Sequence, residues 1–251
     1  MTEVSKIKNN LVIKLADYVS GEIIWSIIGN EHIDDSLFVL FMSTNELKLI
    51  PQVVIDNIAD RSKFSIRQER DSFDYLYDIK ALATMGGQIY KKKRNKANRA
   101  RSLIKDIKVV NDRKISLEQA HNFRLVFQKW LENNNKQSED FKAENSAVLR
   151  FLNFSDSFKV INTQIYSKNK LVAFSFNEIL ANGYAICHFE KALTVHQDIY
   201  PFLVQESAKA LLKEGCKILN WEQDLGIEGL RQAKLSYHPM KMLKKYTIKL
   251  A

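Results

Sequence analysis

From Leu117 onward the apolar positions switch cleanly between helical and strand spacing. Leu117, Ala120, Phe123, Val126, Phe127, Trp130 and Leu131 recur every three or four residues behind Ser116 and Gln119, a reciprocal capping pair, and predict an amphipathic helix. Asn133 to Ser138 reads as a polar connector, and Phe141 to Phe154 as a second helix with Ala147, Val148, Phe151 and Leu152 inward. Lys159 to Tyr166, Leu171 to Ile179 and Tyr184 to Glu190 are then rich in Val, Ile, Phe and Tyr and are separated by Ser-Lys-Asn-Lys and Ala-Asn-Gly. That pattern predicts an antiparallel meander. A helix follows, with Asp198 before it, Pro201 in its first turn and Gly215 past its end. Strand Cys216 to Trp221, helix Gly229 to Ser236 and strand Lys245 to Leu250 complete the order ααβββαβαβ.

The first half carries a weaker pattern. Glu22 to Ile28, Leu37 to Met42 and Phe64 to Gln68 read as strands, Gln52 to Ile58 is ambiguous, and Tyr75 to Thr84 reads as a helix. The segment from Ser65, SIRQERDSFDYLYDIKALATM, echoes LNWEQDLGIEGLRQAKLSY from Leu219, each running strand, acid, helix, as a duplicated unit would. Between the halves, Tyr90 to Lys114 holds eleven Lys or Arg residues on partly helical spacing, a basic linker helix. The fold class expected is mixed α/β: two units in tandem, residues 1–114 including the linker and 115–251, each a mostly antiparallel sheet with flanking helices.

Composition narrows the classes further. With 251 residues, 45% apolar content, 3 Pro and 8 Gly, the chain is long enough for a real core and too ordered in pattern for a disordered protein. Cys187 and Cys216 both lie in strands, which offers neither a disulfide framework nor a metal-binding spacing. Without an apolar run long enough to span a bilayer, a cytoplasmic location is expected. The formal charge of +9 points to an anionic partner, with nucleotides, tRNA and anionic lipid headgroups all fitting.

Chemistry concentrates in Asn220 to His238, NWEQDLGIEGLRQAKLSYH, where an apolar strand delivers carboxylates to a sheet end before a helix. Glu222 and Asp224 are candidates for a general base, Asp224 the better one, or else they form structural ion pairs with Arg231 and Lys234. Arg231 and Lys234, three apart on one helical face, suit a phosphate or carboxylate. Asn220 and Tyr237 flank them. Glu190 and Lys191 reach the same sheet end as Glu222 if their strands are parallel neighbours. Tyr200 is a candidate proton donor or a core aromatic. Lys91, Lys92, Lys93 and Arg94 are the candidates for polyanion contact. No metal site is expected, and no GxSxG elbow supports a serine nucleophile.

The order ααβββαβαβ is that of the N-acetyltransferase fold, in which the last strand returns beside the fifth. The strings Ala81 to Asn95 (ALATMGGQIYKKKRN), Lys170 to Phe174 (KLVAF), His188 to Ala192 (HFEKA) and Asn220 to Tyr237 together resemble the phosphatidylglycerol lysyltransferase C-terminal-like family, from about Asp71 to Tyr246. The resemblance implies tandem acetyltransferase-like units related to peptidoglycan-bridge aminoacyltransferases. It also implies transfer of an acyl or aminoacyl group from a thioester (acyl-CoA) or ester (aminoacyl-tRNA) donor to an amine or hydroxyl acceptor, a small molecule or a lipid headgroup. No tightly bound cofactor is implied; acyl-CoA or aminoacyl-tRNA would be a co-substrate, and peripheral contact with an anionic membrane is compatible with it. The chain departs from the family after Ala192, where LTVHQDIYP lacks the glycine that lets a backbone approach a pyrophosphate. The rival readings are a non-catalytic RNA-binding module and a catalytically silent protein-interaction domain.

Overall fold

The computed structural model describes residues 2–16, 21–133 and 139–251, with side chains described for all of these except 139–143 and 155. Of the connector expected over Asn133 to Ser138, Asn133 ends a helix and residues 134–138 lie outside the described residues. Two compact units emerge: one comprises the residues up to Asp74 with Gln223–Arg231 and Met242–Ala251, the other Tyr75–Glu222 with Gln232–Lys241. They fall elsewhere than at residue 114, because the basic helix and the strand after it pack within the second unit.

The first unit holds two three-stranded sheets. Strands β1 (Thr2–Ile7), β2 (Asn10–Ala16) and β3 (Ile23–Ile28) form an antiparallel meander, with Lys8 and Asn9 both at positive φ in the tight turn between the first two. In the other sheet β4 (Leu47–Pro51) and β5 (Phe64–Gln68) flank the chain's last strand, β13 (Lys245–Leu250). The expected return of the last strand beside the fifth strand of the C-terminal unit is therefore corrected: β13 completes the N-terminal unit, antiparallel to both neighbours. Leu37 to Met42, expected as a strand, lies in helix α1 (Ile33–Phe41) and the residue following it. Ile33, Leu37 and Leu40 share its buried face, and Asp34 and Asp35 sit favourably in its first turn. Helix α2 (Gln52–Asp56) adds Val54 and Ile55 to the same core.

Tyr75 to Thr84, expected as one helix, is strand β6 (Asp74–Asp78) followed by helix α3 (Ile79–Thr84). Tyr75, Leu76 and Tyr77 are consecutive and all buried, which a strand covered on both faces permits and an amphipathic helix does not. The echo with the Leu219 segment therefore fails in detail, since β5 is followed by a further strand rather than directly by a helix. After α3 come α4 (Lys91–Leu103), β7 (Lys108–Asp112), α5 (Leu117–Asn133), α6 (Glu139–Phe154), β8 (Val160–Ser167), β9 (Lys170–Ile179), β10 (Tyr184–Ala192), α7 (Ile199–Lys213), β11 (Ile218–Asn220), α8 (Glu228–Leu235) and β12 (Lys241–Leu243). The sheet order is β12-β6-β11-β10-β9-β8-β7.

Within this sheet the meander of β8, β9 and β10 is as the sequence predicts, with Lys168 and Asn169 at positive φ in the first turn. The capping pair also forms: Gln119 N–H donates to Ser116 Oγ at 3.1 Å and Ser116 N–H to Gln119 Oε1 at 2.9 Å. Alternate residues of β9 face different helices. Phe174 and Phe176 pack on Phe123 of α5, with ring centroids 5.0 and 4.8 Å apart. Ser175 and Asn177 hydrogen-bond Ser207 of α7. Phe123 is fully enclosed, so Phe123→Ala should lower unfolding stability by about 3 to 5 kcal/mol, read as a shifted midpoint in urea at unchanged slope.

Candidate functional site

The site begins where a parallel pair ends. Strands β10 and β11 pair in parallel from Tyr184↔Ile218 to Ile186↔Asn220, and β11 then stops while β10 runs on to Ala192. Buried Asn220 turns the chain out of the sheet, its Oδ1 accepting the Glu222 N–H at 2.8 Å. Glu222 sits at φ +51°, a left-handed conformation unusual for a side-chain-bearing residue. Its carbonyl accepts the Tyr75 N–H at 3.2 Å and the Lys234 ammonium, also at 3.2 Å. The same ammonium donates to Trp221 O.

Two tyrosines fix the end of α8 above this turn. Tyr77 Oη donates to Lys234 O and Tyr90 Oη to Tyr237 O, each at 2.8 Å. The Tyr237 ring lies edge-on to Trp221, and the Lys93 ammonium sits 3.7 Å from the Tyr237 ring centroid. Glu190, on the overhanging part of β10, is the acid at the centre of this group. Burial pushes its carboxyl up to about 8 against the opposing pull of Lys191, Lys234 and Lys93. Among the described residues its carboxylate has no hydrogen-bond or ion-pair partner. Lys93 is lowered to about 8, by burial first and then by the charge of Lys96, with Glu190 opposing. Tyr77 and Tyr237 are pushed upward by burial and stay protonated.

The predicted catalytic acids do not form one pair. Glu222 binds His188, whose Nδ1 lies 3.2 Å from Glu222 Oε1 and whose Nε2 lies 2.8 Å from Glu178 Oε2. Asp224, whose contacts belong to the first unit, is fully enclosed. Arg231 Nε and Nη2 bind its two oxygens at 3.0 Å, Arg70 Nη1 binds at 3.1 Å, and Gly226 N–H donates at 2.9 Å. Arg231 also reaches Asp71 at 2.6 Å, and its pKa is raised by these hydrogen bonds. Asp224 and Arg231 are thus ion-pair partners, with both oxygens of the carboxylate accepting hydrogen bonds.

Other candidates are similarly placed. Lys191 reaches Glu144 at 2.6 Å and lies 4.0 Å from the Trp130 ring centroid, so its charge is held by α5 and α6. Tyr200 Oη accepts the Ala192 N–H at 3.3 Å, and burial raises it to about 12. Of the four polyanion candidates, Lys91 and Lys92 are exposed, Lys93 is held on Tyr237, and Arg94 donates to the carbonyls of Met85 and Gly87. The basic helix is not a free linker: Lys96 and Arg99 pair with Asp198, and Arg101 with Glu206, both acids lying at or on α7. Asp198 stands directly before α7 at φ +58° and makes no side-chain cap.

Sequence reasoning missed Tyr77, Tyr90 and Glu178, and placed Lys93 among surface cations. Tyr77 alone left a legible signal, the Tyr-Leu-Tyr run of a doubly covered strand. Among the described residues no cluster of His, Cys, Asp and Glu could hold a metal ion, and no helix is long and apolar enough to cross a membrane.

Residues 34–249 match the family described as phosphatidylglycerol lysyltransferase, C-terminal. The chain belongs to that family. His188 from the HFEKA string and Glu222 from the NWEQD string, two of the stretches on which the resemblance rested, are hydrogen-bonded to each other. Within the family's fold, a conserved protein of unknown function from Bacteroides thetaiotaomicron is 26% identical, with a TM-score of 0.86 and coverage of 100% of this chain and 86% of that one. The L-PGS of Bacillus licheniformis is 15% identical with a TM-score of 0.66, over 96% of this chain and 81% of that one, a likeness of fold. An uncharacterized protein of Mycoplasmoides gallisepticum is 24% identical over 229 residues, 86% of this chain and 71% of that protein.

Two outcomes follow from this geometry. Asp224→Ala should destabilise the protein by about 1 to 3 kcal/mol, since it removes an enclosed carboxylate together with its charge-assisted hydrogen bonds to two partly exposed guanidinium groups, measurable by chemical denaturation. For His188, burial disfavours the charged ring, but the hydrogen bonds and charges of Glu222 and Glu178 outweigh it and raise the pKa. A folded-state value above the unfolded one near 6.5 means that this bridge contributes fully below about pH 6.5 and is lost as pH rises through the folded value. Melting temperatures of His188→Gln should therefore show the largest deficit in acid and converge on the unmodified protein above that range.

Proposed function

We propose that the chain is an acyl- or aminoacyl-transferase whose general base is Glu190. The observation that carries this reading is a half-buried carboxylate on an overhanging strand end, set among lysines and tyrosines and engaged by no hydrogen-bond donor among the described residues. A base must be free to accept a proton and must titrate near the working pH; Glu190 meets both conditions, whereas the oxygens of Asp224 are already taken by Arg231, Arg70 and Gly226.

In this reading Glu190 takes the proton from an acceptor amine or hydroxyl as that atom attacks the carbonyl of an ester or thioester donor. Positive charge from Lys234 and Lys93 favours the oxyanion that forms. The bond to the leaving oxygen or sulfur breaks, the leaving group takes a proton from Lys93, and the proton on Glu190 passes to Lys93 to restore both groups. One acyl bond is made, one is broken, and the proton count closes. Membership of a family named for a lysyltransferase supports the aminoacyl donor and a phosphatidylglycerol-type acceptor. The engagement of Lys93, Arg94, Lys96, Arg99 and Arg101 within the protein weighs against the rival RNA-binding module, because it removes most of the cations that module would use.

The purified chain should move label from aminoacyl-tRNA or acyl-CoA, offered separately, to phosphatidylglycerol in vesicles or to a small amine. Glu190→Gln should reduce that transfer about 100-fold or more with folding retained. The rate of the unmodified enzyme should rise as Glu190 loses its proton and fall as Lys93 loses its own, a bell centred at about pH 8. The sign for stability runs the other way. A carboxyl at about 8 when folded and near 4.5 when unfolded holds a proton that the unfolded chain lacks, so the folded state loses stability across that window as pH rises. Glu190→Gln should therefore melt at a higher temperature than the unmodified protein above pH 8, while transferring poorly. Equal transfer by the two proteins would remove Glu190 from the mechanism.

A further inference from the structure

Strand β10 breaks its register at the residue that carries its histidine. Cys187 pairs with Asn177 and Phe189 with Phe176, the very next residue of β9, so His188 is the extra residue of a β-bulge. One inserted residue turns every later side chain to the opposite face of the strand. Glu190 therefore stands opposite Ser175, which bonds Ser207 of α7, and Lys191 opposite Phe174, which packs on α5. Without the bulge these two side chains would exchange faces.

The bulge also aims the His188 ring. Its Nε2 meets Glu178 of β9 at 2.8 Å, and its Nδ1 meets Glu222, beyond the end of β11, at 3.2 Å. A carboxylate can only accept, so a ring that satisfies both must donate from both nitrogens, as the imidazolium does. Phe151 of α6 lies against the ring with centroids 5.7 Å apart, and Arg150 is the other charged side chain on the hollow that His188 borders.

Glu222 is the residue most in need of a hold. It is left-handed at φ +51°, and a residue with a side chain keeps such a conformation only where its surroundings fix it. Tyr75 pins its carbonyl from β6, Asn220 takes its N–H, and His188 holds its carboxylate from β10. The turn so fixed offers two carbonyls, those of Trp221 and Glu222, to the single ammonium of Lys234. Lys234 is in turn one of three lysines whose charge draws the Glu190 carboxyl down against its burial.

We propose that His188 is a positioning residue: strapped between Glu178 and Glu222, it locks the turn after β11 so that the turn's carbonyls keep the Lys234 ammonium near Glu190. Its place in catalysis rests on the reading of Glu190 as the base. The histidine of the HFEKA string would thus fix the surroundings of the acid two residues further on.

The test follows Glu190 itself, by carbon NMR of its carboxyl in the folded full chain, with Glu190→Gln marking the signal. In His188→Ala and in Glu222→Ala the turn is released and Lys234 moves off, so Glu190 should bind its proton about threefold more tightly in both, an upward shift of about half a pH unit. Glu222→Gln, whose amide still gives His188 a partner, should titrate like the unmodified chain. The alanine pair separates the strap from simple charge. His188→Ala removes a positive group and Glu222→Ala a negative one, so direct action through space would move Glu190 up in the first and down in the second. A downward move in Glu222→Ala, or no move in either variant, overturns the proposal. In transfer assays the acid side of the pH profile should shift with the carboxyl. Equal transfer by Glu190→Gln and the unmodified protein would remove the base yet leave this titration unaffected, so the two readings fail separately.

Discussion

Three residues of parallel pairing decide where the chemistry of the second unit can be. Beyond Ile186↔Asn220, β11 has ended and β10 continues for six residues, so its last side chains lack a strand neighbour on that side. A sheet interior cannot leave such a place unfilled without exposing backbone groups. Asn220 answers by accepting the Glu222 N–H, and the left-handed turn at Glu222 presents a carbonyl to Lys234. Everything proposed for Glu190 depends on that divergence. Were the two strands paired to their ends, Glu190 would face a ladder neighbour rather than a group of lysines and tyrosines.

The surplus of positive charge resolves into parts with different physical meanings. Arg70 and Arg231 neutralise a fully enclosed carboxylate, an arrangement whose removal is costly because an uncompensated charge would be left behind. The pairs Arg99–Asp198, Arg101–Glu206 and Arg113–Glu214 are more exposed on their basic side, and each contributes about 1 kcal/mol or less. Their larger effect is on specificity: they set an acid against several of the cations that make the linear sequence look like a polyanion-binding segment.

Where local pattern and tertiary environment agree, the sequence was legible. The Ser116–Gln119 cap, the three-strand meander, and Gly215 past the end of α7 each rest on interactions within a few residues, and all are present. The failures are tertiary. LFVLFM, from Leu37, has the composition of a strand, yet Ile33, Leu37 and Leu40 present one helical stripe to the first unit's core. The Tyr75 run looks helical only until it is seen to be covered on both faces. No local rule could send β13 to β4 and β5, since that choice depends on strands almost 200 residues away. The site was half legible for the same reason: Glu190 and Lys234 stand at readable strand and helix ends, whereas Tyr77, Tyr90 and Lys93 join them through contacts made by a part of the chain that looked like a linker.

The contrast between Asp224 and Glu190 shows why residue type and motif position could not choose between them as the proposed base. Asp224 lies in the richer string, but four donors surround it: two from Arg231, one from Arg70 and the Gly226 amide. Protonation of such a carboxylate would break a set of charge-assisted hydrogen bonds. Glu190 is half-buried and has no donor among the described residues, and burial there brings the charged and neutral forms to nearly equal free energy at about pH 8. A protein gains no stability from a carboxyl kept in that state, and would fold more firmly with an amide there. Its placement makes physical sense if the absent donor is supplied by something that binds, and an acceptor amine or hydroxyl awaiting attack is a group of that kind.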